Sequence, residues 1–304
     1  MRGETVSETL EELDQLDDGY STETADGGVL VLGGTPIGNL GDATDRLKHY
    51  LATADLIAVE DTRKLRTLAS GLGVKTIGRT IVNHDHNESE RSAQIVEAVE
   101  SGKTVLLLSD AGMPTVSDPG YAAAQAVADA DLPVTVAPGP SAVLSALAVS
   151  GLPTGRFTFE GFLARKGSDR TRRLASLANE ERTMVFYESP HRLEATLRDF
   201  ASTFGEERCA VVCRELTKLH EEIIRGTLAE LVQWAENNER IRGEIAVVVE
   251  GAPEPEAQSA DSLTDRVLAL VEEGMRLKAA AAQVAAETGV SKRELYEATL
   301  AARN

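Results

Sequence analysis

The feature that most constrains this chain is the run Val105-Leu106-Leu107-Leu108, together with the abrupt turn at its end. Four apolar residues without alternation read as a strand buried on both faces, as in a parallel sheet covered by helices. The run stops at Ser109-Asp110-Ala111-Gly112, with Pro114 and Pro119-Gly120 behind it. Those residues cannot extend a strand, so the chain turns at its carboxyl end. In open α/β sheets that end is where ligands bind. The stretch therefore reads either as a ligand loop carrying a carboxylate or as an ordinary strand-to-helix connection.

The same unit recurs. Gly28–Leu32 runs into the glycine-rich turn Gly33-Gly34-Thr35-Pro36-Ile37-Gly38, then a helix capped near Asp42. The turn lacks the G-K-[ST] of a nucleotide-triphosphate loop and the spacing of a dinucleotide fingerprint, so it allows a nucleotide-like ligand without specifying one. Asp55–Val59 ends in Glu60-Asp61-Thr62-Arg63, either a polar cluster entering a cleft or a helix cap by Asp61 or Thr62. Thr76–Val82 leads to Asn83-His84-Asp85-His86-Asn87-Glu88, where a polar site loop, a helix cap and a metal site all compete. Pro133–Val136 leads to Pro138-Gly139-Pro140-Ser141-Ala142, with Ser141 as helix cap. Repeated strand–turn–helix units define a doubly wound α/β domain over residues 28–150.

A second α/β domain is expected over 151–250. Its strands are Phe157–Phe162, Thr183–Tyr187, the run from Arg208 to Cys213, and Gly243–Glu250, and the chain is helical from about Leu228. Residues 251–262 read as a Pro/Ala/acid linker. Residues 263–304 form three short helices, two of them around a Gly289 turn, a helix-turn-helix-like module.

The net charge is −18, which argues against a binder held to nucleic acid by charge alone. Part of the surplus is local: residues 1–27 hold nine acids and one base and read as a disordered tail. Against this background Arg165, Lys166, Arg170, Arg172 and Arg173, with only Asp169 between them, are a basic segment suited to a phosphate-bearing partner. No apolar run is long enough for a membrane span. Cys209 and Cys213 share one face of a strand, too far apart to bridge, and read as buried small hydrophobes in a reducing cytoplasm.

The turn segments also carry a resemblance. GGTPIGNLGD (33–42), ADLIAVEDTR (54–63), NHDHNE (83–88), SDAGMPTVSDPG (109–120), PGPSAVLSAL (138–147), GLPTGRFTFEGFL (151–163), FYESPHRL (186–193) and CRELTKLHEEIIRGT (213–227) resemble, in order, the bacterial 16S ribosomal RNA (cytidine-2′-O)-methyltransferases of the tetrapyrrole-methylase superfamily. Met113 stands where that family's pattern has Thr, which leaves the backbone role intact. The resemblance implies two α/β domains with S-adenosyl-L-methionine in the cleft between them. It implies 2′-O-methylation of a cytidine in the decoding region of 16S rRNA, on the 30S subunit in the cytoplasm, by a homodimer without metal. It places cofactor contacts on Pro36, on Ser109, Asp110, Ala111, Gly112 and Met113, on Ser141 and Ala142, and near Ala246.

Methyl transfer to a ribose hydroxyl needs alignment and a proton acceptor or a cation for the developing alkoxide. Glu60, Asp61, His84, His86 and Glu88 are the candidate bases, with Arg63 or Lys218 as electrostatic partner. Arg165, Lys166, Arg170, Glu188, His191, Arg192, Arg214 and Lys218 are the candidate RNA contacts; the basic segment reads alternatively as a solvated, mixed helix start, and Glu188, His191, Arg192 and Arg214 as surface salt bridges or caps. A porphyrinoid methyltransferase and a non-catalytic nucleotide-binding regulator are the competing functions.

Overall fold

The computed structural model describes residues 27–84, 88–238, 240–253 and 259–302. The chain divides into two compact units, one ending at Gly251 and one starting at Ala252. The expected acidic tail falls almost wholly outside the described residues.

The first unit holds two five-stranded sheets. In the first, β1 (Val29–Gly33), β2 (Leu56–Val59), β3 (Arg79–Val82), β4 (Thr104–Leu108) and β5 (Val134–Ala137) lie in the order β3-β2-β4-β1-β5. All the pairings are parallel. The central position of β4 accounts for its unbroken apolar run. Leu106 and Leu108 pack on one face with α1 (Asp45–Thr53) and α2 (Thr62–Gly71). Val105 and Leu107 pack on the other with α3 (Glu88–Glu100) and α4 (Tyr121–Asp129). Alternate residues thus each meet a helical layer, so no position can be polar.

The helix after β1 and the helix after β4 therefore cover opposite faces. The two neighbouring strands diverge in connectivity at this point, opening the crevice where ligands of doubly wound sheets bind.

The second sheet has the order β6-β7-β10-β8-β9. Its strands are β6 (Phe157–Phe162), β7 (Thr183–Glu188), β8 (Cys209–Arg214), β9 (Glu222–Thr227) and β10 (Ile245–Val249). Only β6 and β7 pair in parallel; β10 is antiparallel to both neighbours, as is β9 to β8. The helices α6 (Ser168–Leu177), α7 (Leu193–Phe204) and α8 (Leu228–Glu236) cover one face, around Phe186, Phe200 and Val247. The helix α5 (Ala142–Ser150) covers the other, where Val143, Ala146 and Leu147 meet Val185, Val211, Ala246 and Val248. It follows β5 and so ties the two sheets into one body.

Three local readings change. The cap of α1 is Thr44, whose side chain accepts from Leu47 N–H; Asp42 instead ends a short 3₁₀ turn. Strand β9 was not foreseen, because this edge strand is only partly buried on both faces, with Ile223 packed on one side and Ile224 on the other, and so carries no alternation. Its end was legible: Thr227 and Glu230 form a capping box for α8. Cys209 is exposed, whereas Cys213 is buried.

In the second unit α9 (Thr264–Glu272), α10 (Leu277–Thr288) and α11 (Lys292–Ala302) enclose Val267, Ala280, Ala281, Val284 and Leu295. Gly289 closes α10 at φ 74°, a left-handed position that favours glycine. No described helix is long and apolar enough to cross a membrane.

Candidate active site

The loops after β1 and β4 are stitched together at the crevice. Thr35 N–H donates to Gly112 O at 2.8 Å, and Gly112 N–H returns to Thr35 O at 3.1 Å. Thr35 is buried, and its hydroxyl sits 3.4 Å from the carbonyls of Ser109 and Gly112. Gly112 adopts φ 82°, which lets the chain reverse there. The loop after β5 joins this pair, because Gly34 and Gly139 meet backbone to backbone. Ser141 then caps α5 by accepting from Leu144 N–H.

Between these loops and the second sheet lies a cleft of about 380 Å³, within the usual range for a small-molecule site. Ile37, Ala111, Gly112, Met113, Ser141 and Ala142 form one wall. Tyr187, Glu188, Ser189 and Pro190 at the end of β7 and just beyond it, Cys213 in β8 and Leu216 after it, and Gly243 to Ala246 at the start of β10 form the other. Ala111 to Met113, the Ser141-Ala142 step and Ala246 thus converge from both sheets.

The walls are mostly apolar. Burial and the nearby Asp118 carboxylate push the Tyr187 hydroxyl up to about 12, so it remains a neutral donor. Burial also pushes the Cys213 thiol up to about 12, so it is not a nucleophile.

Asp110 has a different place. Ser109 and Asp110 line a smaller recess of about 40 Å³ with Pro36, Asp61 and Lys64, on the far side of the same loop. The Asp110 carboxylate pairs with Lys64 Nζ at 2.7 Å, and its N–H donates to Glu60 Oε1 at 2.8 Å. The segment after β2 therefore braces the segment after β4. Asp110 anchors the loop, and Ala111 to Met113 face the cleft.

The polar cluster after β2 resolves into separate tasks. Asp61 is the N-cap of α2, accepting from Arg63 N–H at 2.8 Å. It also takes the Arg63 guanidinium at 2.6 Å. The side-chain hydrogen bond to Arg63 is the main cause holding Asp61 at about 2, which makes it a poor proton acceptor near neutrality. The folded value lies below the ordinary carboxylate value, so the pairing favours the fold above that ordinary value. The contribution is lost as pH falls towards 2. A carboxyl-carbon NMR titration should show Asp61 ionised down to about pH 2; a midpoint near 4 would contradict the pairing.

Lys64 was not foreseen. A lysine in the first turn opposes the helix dipole, and that local conflict was its sequence signal. His84 is exposed, His86 lies outside the described residues, and Glu88 opens α3. All five strands of this sheet run parallel, so β2, β3 and β4 present their carboxyl ends along one edge. Among the described residues no three His, Cys, Asp or Glu side chains are grouped to hold a metal.

The basic segment is less uniform than its composition. Arg165 and Lys166 are exposed. Arg172 pairs with Asp169 at 3.3 Å, and Arg173 pairs with Glu160. Arg170 is buried, with Asp199 at 2.7 Å, which corrects its reading as a direct RNA contact. Glu188 is buried as well, held by Thr196 and Arg192. Arg192 reaches the Leu163 carbonyl, Arg214 pairs with Glu222, and Lys218 pairs with Glu215 and Glu244. His191 is exposed.

Two diverging strand ends, a stitched glycine loop and a cleft against a mixed sheet define a tetrapyrrole-methylase type of methyltransferase. The sequence profile of the tetrapyrrole (corrin/porphyrin) methylases matches residues 29–232, and that of the RsmI C-terminal HTH domain matches residues 256–303. Ribosomal RNA small subunit methyltransferase I of Mycobacterium tuberculosis is 49% identical over 277 residues, 91% of this chain and 96% of that one. The enzyme of that name from Xylella fastidiosa is 44% identical over 272 residues, 88% of this chain and 98% of that one. The chain belongs to this family within the tetrapyrrole methylases, and its methyl donor is S-adenosylmethionine.

Among solved structures, the methyltransferase CobJ is similar with a TM-score of 0.54 at 21% identity, over 74% of this chain and 95% of that one. The cobalt precorrin-4 methyltransferase CbiF gives 0.53 at 18%, over 75% and 96%. Both show the shared fold.

Proposed function

We propose that the protein transfers the methyl group of S-adenosylmethionine to the 2′-hydroxyl of a cytidine in the decoding region of 16S rRNA. The observation that carries this reading is the 49% identity extending over 91% of the chain, at a length that includes the C-terminal helical unit. A porphyrinoid acceptor would be in keeping with the fold alone. The exposed Arg165 and Lys166 and the three-helix unit favour RNA. The enzyme acts as a homodimer in the cytoplasm, on the 30S subunit or its RNA.

The 380 Å³ cleft holds the cofactor, with Ala111 to Met113, Ser141, Ala142 and Ala246 against it. Pro36, Ser109 and Asp110 support that wall from behind. The acceptor ribose approaches along the carboxyl edge of β2, β3 and β4. Transfer is an in-line displacement: the ribose oxygen bonds to the methyl carbon, the carbon–sulfur bond breaks, and the electron pair stays on sulfur. Alignment supplies most of the rate. The hydroxyl proton must leave, and neither Asp61 nor Glu60 is well placed to take it. Asp61 is tied to Arg63, and Glu60 is tied to the Asp110 N–H. The acceptor is therefore drawn from His84, His86 and Glu88, with Arg63 or Lys218 as the cation beside the developing alkoxide.

The test is incubation with labelled S-adenosylmethionine and 30S subunits lacking the modification, followed by nuclease digestion and mass spectrometry. Label in 2′-O-methylcytidine is the expected result. Label on a base, or only in a porphyrinoid acceptor supplied in parallel, would overturn the reading.

A further inference from the structure

A buried polar network joins the cofactor cleft to the basic loop. Glu188, at the end of β7, is 3% exposed and forms part of the cleft wall. Its Oε1 accepts from Ser189 N–H at 2.7 Å and lies 3.3 Å from Arg192 Nε. Its Oε2 accepts from the Thr196 hydroxyl at 2.6 Å. Thr196, 1% exposed, accepts in turn from Arg170 Nη2 at 2.9 Å. Arg170 Nε donates to Asp199 at 2.8 Å. Two carboxylates and two guanidiniums thus share one cluster, buried at Glu188, Thr196 and Arg170 and open to solvent at Asp199. Such clusters are weak sources of stability compared with an apolar core, so their geometry invites a second explanation.

The far ends of both arginines supply it. Arg170 Nη1 donates to the Ala164 carbonyl at 3.2 Å, and Arg192 Nη2 donates to the Leu163 carbonyl at 2.8 Å. These successive carbonyls lie where the chain leaves β6 and enters the turn that carries Arg165 and Lys166. A network meant only to staple α6 and α7 onto β7 would not need to grip that backbone.

We infer that Thr196, Arg170 and Arg192 are positioning residues that fix the turn from Leu163 to Gly167, so that Arg165 and Lys166 meet RNA phosphates. Thr196 is the joint, because its single hydroxyl both donates to Glu188 and accepts from Arg170. This rests on the proposed RNA substrate. It assigns Arg170 and Arg192 an effect exerted through the loop instead of direct contact.

The test compares Thr196→Val, which keeps the shape and removes the hydroxyl, with Thr196→Ser, which keeps the hydroxyl. Thr196→Val should raise the KM for 30S subunits at least fivefold, with kcat and calorimetric cofactor affinity within twofold of the parent. Thr196→Ser should restore the parent KM. The slope of log KM against log salt should flatten by about one to two, the share of two phosphate contacts. A raised KM with an unchanged salt slope, or a loss of stability alone, overturns the inference.

If Thr196→Val does not fold, the exposed pair Arg165→Gln and Lys166→Gln decides, because an unchanged KM in that double variant also overturns it. Failure of the proposed function reads differently: the unmodified enzyme then turns over no RNA while still binding cofactor, and the loop's role falls with it.

Discussion

Gly139→Ala should destroy most of the cofactor affinity of this enzyme. Neither Gly139 nor its neighbour Gly34 has positive φ, so the requirement is space and not backbone conformation. A Cβ on Gly139 would stand 2.6 Å from the Gly34 carbonyl oxygen and 2.8 Å from its carbon. A Cβ on Gly34 would stand 2.7 Å from the Gly139 backbone and from Met113 Sδ. Backbone cannot swing aside as a side-chain tip can, so the two loops must separate. They carry Ile37 on one side and Ser141 and Ala142 on the other, all in the cleft wall. Overpacking of this kind costs about 2 kcal/mol, or roughly 4–8 °C in Tm for a unit of this size. The expected result is a folded variant with cofactor affinity at least tenfold weaker, a loss of about 1.4 kcal/mol or more. Calorimetry with S-adenosylhomocysteine checks it, and an unchanged affinity would show that these loops do not form the cofactor wall.

That contact was not legible in the sequence, although both glycines stand in evident turns. Burial on two faces imposes unbroken apolar runs, so β4 and its place in a parallel sheet could be read directly. Ser141 was equally legible, because a cap acts within three residues of itself. Which turn touches which depends on strand order, and β1 lies between β4 and β5 only in the folded sheet. The same limit explains Asp110. A carboxylate in a loop of small residues invites a ligand role, but its partners lie on α2 and at the end of β2, some fifty residues earlier. The basic segment misleads in the opposite direction. Its composition counts Arg170 with Arg165 and Lys166, whereas helical periodicity turns Arg170 inward onto Asp199. Charge runs report local composition, and only packing decides which members face solvent.

The Glu188 carboxylate is where that packing has its largest consequence for stability. Glu188→Ala would leave the Thr196 hydroxyl, the Ser189 N–H and the Arg192 guanidinium without their acceptor, in a site where Glu188 itself is 3% exposed. Arg192 is partly exposed and recovers some hydration, but Thr196 is 1% exposed and recovers almost none. Removing one partner of a buried charged network costs about 3 kcal/mol. For the unit ending at Gly251 that corresponds to a Tm lower by roughly 6–12 °C. Glu188→Gln keeps the volume and one acceptor oxygen, so its loss should be about half as large, with the Arg192 interaction weakened most. Thermal unfolding of both variants checks the order. If alanine and glutamine prove equally mild, water or Asp199 satisfies the arginines instead, and Glu188 is only a wall of the cleft. A large loss in both variants would mean that the negative charge itself, opposite Arg170 and Arg192, holds the second sheet's helices in place.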